Sequence, residues 1–124
     1  LIDEIIFTYN GSPSSVFAIK QFTYLFPQLN TKKITILQVN EAGEWKDPDK
    51  YKFNEWLKEH YTDLHFEALK GDTDAKLFDC LLNRENVFFV MGAYGRNSLS
   101  QFFKRSQADL LIKTVTQPIF IAHL

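Results

Sequence analysis

Short apolar runs and amphipathic helical stripes take turns along this whole chain, and that alternation limits the folds open to it more than any other feature. The first run, EIIFTY (residues 4–9), stops at the turn cluster NGSPSS. A helical stripe follows, with Ala18, Phe22, Leu25 and Phe26 at i, i+4, i+7 and i+8, and with Ser14 or Ser15 placed to cap it. KITILQVN (33–40) is β-branched and apolar and reads as a second strand. DPDKYKFNEWLKEHY (47–61) reads as a helix. Asp47 stands at its N-cap, Pro48 at its first position, and Phe53, Trp56, Leu57 and His60 on one face. LHFEALKG (64–71) alternates as a strand does. DTDAKLFDCLLNRE (72–85) carries Leu77, Phe78, Leu81 and Leu82 as an inward stripe, and NVFFVMG (86–92) reads as a buried fourth strand. Ser106 and Asp109 have capping-box spacing ahead of Ala108, Leu111, Ile112 and Val115, so the last helix is expected to start at Ser106. PIFIAHL (118–124) closes the series as a fifth strand.

Strands alternating with amphipathic helices imply an α/β fold: a parallel, open, five-stranded sheet with helices on both faces and right-handed crossovers. The 124 residues suit a single domain spanning 1–124. Net charge is −1 with both signs interspersed, so no basic tract marks a nucleic-acid partner. No apolar run approaches the roughly 20 residues that cross a bilayer, so no membrane association is expected. Cys80 is the single cysteine, and its expected place is in a core as a small hydrophobe. The chain begins at Leu1 without a signal-peptide pattern, which suggests an excerpt from a longer protein.

In an open α/β sheet, ligands bind beyond the carboxyl ends of the strands where strand order reverses. Two loops suit that place. One is YNGSPSS after the first strand, and the other is GAYGRNSLSQFFKRS (92–106) after the fourth. The second has two glycines, Gly92 and Gly95, and ends in a hydroxyl residue at a helix start, where backbone N–H groups attract phosphate oxygens. Tyr94, between those glycines, reads as packing over the strand end. Ser12, Ser14 and Ser15 have no adjacent His or Asp pattern, so turn and cap roles are expected of them, and no catalytic residue is assigned. His60, His65 and His123 lack metal-ligand spacing, so no metal site is assigned. Trp45 and Trp56 read as core or partner surface.

Along nearly its whole length the chain resembles a universal stress protein domain. That family's loop reads Gly, two residues, Gly, nine residues, Gly, then Ser or Thr. Gly92, Gly95 and Ser106 match it, and Arg105 occupies the third glycine. YNGSPSS resembles the family's Asp-Gly-Ser start with Asn10 for the aspartate, LQVNE resembles the end of its second strand, and KGD (70–72) the turn after its third. The resemblance implies strand order 3-2-1-4-5 and a pocket between strands one and four. It implies that Asn10 and Val39 would hold a nucleoside and that Gly92, Gly95 and Ser106 would hold ribose and phosphates, with ATP or AMP as the nucleotide; Gly11 and Ser12 of the first turn and the cations Arg96 and Arg105 complete the candidate site. It also implies a cytoplasmic protein, paired with a second copy or with a sister domain in a tandem chain; the last strand, Pro118 to Leu124, is read as the pairing edge.

Two departures bear on the nucleotide. Glycine at position 105 would let phosphate approach the backbone, whereas arginine brings a Cβ. Asn10 keeps a hydrogen-bonding carbonyl and loses the charge. Against this, Arg96, Lys104 and Arg105 put three cations near any phosphate. The expectation is a non-enzymatic stress-response binding or regulatory module with a degenerate nucleotide loop. The alternatives are an ATP-binding member with slow hydrolysis or an ATP-dependent switch, and an unrelated flavodoxin-like domain.

Overall fold

The five apolar runs pair side by side into one parallel sheet of order β3-β2-β1-β4-β5. The strands are β1 (Glu4–Thr8), β2 (Lys33–Asn40), β3 (Asp63–Lys70), β4 (Val87–Met91) and β5 (Ile119–Ile121). The helices between the first four are α1 (Pro13–Leu25), α2 (Asp47–His60) and α3 (Thr73–Asn83), with a 3-10 turn at Pro27–Leu29. The computed structural model describes residues 1–45, 47–93, 97, 100, 101, 104 and 118–122, and of these the side chains other than 47–52, 73, 74 and 78.

Side chains alternate across a strand, so each strand feeds both faces of the sheet. On one face Ile5, Phe7, Ile34, Ile36 and Val90 meet Ala18, Ile19 and Phe22 of α1 and Phe53 and Leu57 of α2. On the other, Ile6, Leu37, Phe89 and Met91 meet Leu77, Cys80 and Leu81 of α3. Right-handed crossovers require this division. The β1–β2 and β2–β3 connections run one way along the sheet, and the β3–β4 connection runs back. Cys80 is buried as expected, and burial is the main cause that pushes its thiol above the ordinary value, which keeps it protonated.

Two helical stripes differ from their expected register. In α1 the buried set is Ser15, Ala18, Ile19, Phe22 and Thr23, and Leu25 is 58% exposed. The buried arc is rotated toward Ile19 and Thr23, which leaves Leu25 at its margin in the last turn. In α3, Leu77, Cys80 and Leu81 face inward at i, i+3 and i+4, and Leu82 is 41% exposed; the side chain of Phe78 lies outside the described set. In β4, Phe88 is only half-buried, and β5 pairs over three residues where seven were expected. Arg84, the C-cap residue of α3, holds both carboxylate oxygens of Glu67, midway along β3, at 3.1 Å and reaches Glu4, the first residue of β1, at 3.6 Å. This arginine ties the end of α3 to β1 and β3.

Candidate functional site

The strand order reverses between β1 and β4, so the crevice lies where these two strands end. Buried Thr8, the last residue of β1, donates its hydroxyl to Val90 O at 3.2 Å and locks the two ends together. The chain then turns through Asn10 and Gly11. Asn10 Oδ1 accepts the Ser12 N–H at 3.0 Å, an Asx turn, and Gly11 takes φ 81°, a conformation that favours glycine.

The residue that caps α1 is Ser12, where Ser14 or Ser15 was expected. Its Oγ accepts the Ser15 N–H at 3.2 Å, and Pro13 occupies the first helical turn. Ser15 is inside the helix, and its hydroxyl donates to Ser12 O at 2.8 Å. Ser14 turns the other way: its Oγ accepts the Ala93 N–H at 2.9 Å. Beside that bond, Gly92 is buried so closely against Ser14 that a Cβ on it would meet Ser14 O at 2.7 Å. All three seryl hydroxyls in the NGSPSS stretch are therefore engaged in structure, and the two loops touch.

Beside the crevice, Tyr9 is buried between two other rings. Trp45 stacks on it at 5.2 Å and Phe53 at 5.4 Å, and the Trp45 Nε1–H donates to Glu67 O at 3.0 Å. Val39, near the end of β2, is half-buried. Its neighbour Gln38 is 5% exposed, and among the described residues its Oε1 has no hydrogen-bond partner.

The chain aligns over 98% of its length with a universal stress protein solved in complex with cAMP, covering 97% of that chain at a TM-score of 0.68 and 17% identity. Its fold is the universal stress protein fold. A protein of the universal stress protein family from Burkholderia pseudomallei matches over 98% of this chain and 96% of its own, at a TM-score of 0.54 and 8% identity. No family model matches the sequence, and no curated protein matches it significantly.

Among the residues expected at the site, the universal stress fold brings Asn10, Gly11, Ser12 and Gly92 to one crevice. Val39 is the penultimate residue of β2, the neighbouring strand. Gly95, Arg96, Arg105 and Ser106 lie outside the described residues, as do Tyr94 and the expected helix from Ser106. Between Gly92 and position 105, however, the described residues Ala93, Asn97, Ser100, Gln101 and Lys104 have helical backbone where an open loop was expected. Their sequence contains no proline, and the expectation of a loop rested on the two glycines and on the capping-box spacing that put the helix start at Ser106. Sequence reasoning missed the Ser14–Ala93 bond and the Tyr9–Trp45 stack; each joins residues distant in the chain, and no local signal announces either. Among the described residues no helix is long and apolar enough to cross a membrane, and no three His, Cys, Asp or Glu side chains gather as a metal site.

Proposed function

We propose that this chain is a universal stress protein domain acting as a non-enzymatic binding or regulatory module of the stress response, with a degenerate nucleotide loop. The observation that carries the reading is the Ser14–Gly92–Ala93 contact. A main-chain N–H at the end of β4, which a phosphate oxygen would want, is already held by Ser14 Oγ at 2.9 Å. Asn10 Oδ1 and the hydroxyls of Ser12 and Ser15 are likewise engaged in the first turn and cap. The seryl groups therefore support cap and turn roles in preference to nucleophilic ones, and arginine at position 105 brings a Cβ where glycine would let phosphate approach the backbone. A cytoplasmic location belongs to the same reading.

A second reading, retained nucleotide binding, has its own support. The first turn of α1 carries no acidic residue, so its positive end is uncompensated, and a structural neighbour was solved with cAMP. Calorimetry with ATP, AMP and cAMP separates the two. The proposal expects no dissociation constant tighter than about 0.1 mM, roughly −5.5 kcal/mol. A low-micromolar constant, about −8 kcal/mol, would overturn it in favour of an ATP-binding switch. Arg105→Gly is expected to raise ATP affinity, because glycine reopens the approach to the backbone.

A further inference from the structure

At the opposite end of the sheet from the crevice, where α1 and α2 finish, a cavity of about 150 Å³ opens between them. Its floor is made by two buried hydroxyls, those of Thr23 and Tyr61, 2.7 Å apart. Thr23 has one proton, and it goes to Ile19 O at 2.8 Å. Tyr61 must therefore donate to Thr23, and the pair has only lone pairs left to offer. Burial, the larger cause, outweighs the Thr23 bond and raises the Tyr61 phenol above its ordinary value, so it stays neutral. Glu59, Asn30, His60, Pro27 and Phe26 line the rest, and among the described residues no lysine or arginine does. The last turn of α1 carries no basic side chain either, so the carbonyl end of that helix is not offset locally. Lys20, the nearby cation of α1, is drawn away over the Trp56 ring at 5.4 Å.

Acceptors, one negative charge, the rings of Phe26 and Tyr61 and a helix carbonyl end together favour a cation with several N–H donors. An apolar cavity of comparable volume holds a molecule of about six heavy atoms. We propose that this cavity binds a small primary ammonium compound, with its –NH₃⁺ directed at Tyr61 Oη and Glu59 and its short alkyl body against Phe26. The site is separate from the crevice and does not depend on nucleotide binding there.

The test is an ¹⁵N-edited NMR titration of the whole chain with propylammonium chloride at constant ionic strength, with propan-1-ol as the neutral isostere. Saturable shifts at the amides of Thr23, Asn30, Glu59 and Tyr61 are expected with propylammonium and absent with propanol. Glu59 is exposed, so Glu59→Gln leaves the fold intact; it is expected to weaken binding about fivefold, the upper range for an exposed charge pair. Tyr61→Phe keeps the ring and is expected to weaken it as well. Equal saturation by propanol, shifts that do not saturate, or affinity unchanged in Glu59→Gln would each refute the site.

Discussion

Gly92 shows how one residue can suit two explanations until its surroundings are known. Its spacing to Gly95 and Ser106 is that of a phosphate loop, yet its neighbour in space is the α1 backbone. A Cβ there would meet Ser14 O at 2.7 Å, Ser14 C at 2.8 Å and Ser14 Oγ at 2.9 Å. Two of those atoms belong to the backbone and cannot swing aside. Gly92→Ala must therefore push β4 and the start of α1 apart or break the Ala93–Ser14 bond. The expected loss is about 1–3 kcal/mol, the usual range for overpacking, read as a lower urea midpoint with an unchanged slope. A midpoint equal to that of the parent chain would mean that the two segments separate without strain. The glycine was legible in the sequence, whereas its reason was not, because Ser14 lies 79 residues from Ala93 along the chain.

Helix α1 carries the argument at the scale of an element. Its start was legible to within a few residues, since NGSPSS offers hydroxyls and a proline together. Which serine caps depends on backbone angles: Ser12 is extended, with φ −78° and ψ 153°, and Pro13 follows it inside the first turn. Ser12→Ala should cost about 1 kcal/mol and leave the Ser15 N–H without its acceptor. Ser14→Ala would instead remove the tie to Ala93. Amide hydrogen exchange distinguishes the two: the first variant is expected to expose the Ser15 amide, the second the Ala93 amide. The same pattern in both variants would contradict the assignment of Ser12 as the cap. The rotated stripe of α1 has a similar lesson. Apolar spacing located a helix and named Phe22 and Ala18, both fully buried, but Thr23 is inside because Tyr61 hydrogen-bonds it, and no periodicity count includes that.

For the molecule as a whole, the open question is its edges. β5 ends the sheet beside β4 and is only three residues long, with Phe120 turned toward Phe22 and Phe26 and Ile121 41% exposed. An edge strand presents unpaired N–H and C=O groups, and a two-fold axis lets one strand serve two copies. We propose that this chain pairs through β5 with a second copy or a sister domain. Ile121→Lys is then expected to shift light-scattering mass toward monomer across a concentration series without lowering the thermal midpoint, while Phe120→Lys should unfold the domain. Monomer mass at every concentration in the parent chain would exclude self-pairing by this edge.

The succession of strands and helices and the α/β class were already legible in the apolar periodicity, because that is a local property each segment carries alone. The resemblance to the universal stress protein family implied that the NGS turn and Gly92 follow neighbouring strands, and the pairing of β1 with β4 brings those two segments side by side. Only the folded chain fixes the angle at which α1 meets the sheet and the use of Ser14 to hold Ala93. It also fixes the close fit that demands glycine at position 92. Those outcomes depend on contacts between segments far apart in the chain, whose geometry exists only once the sheet has brought the ends of β1 and β4 side by side.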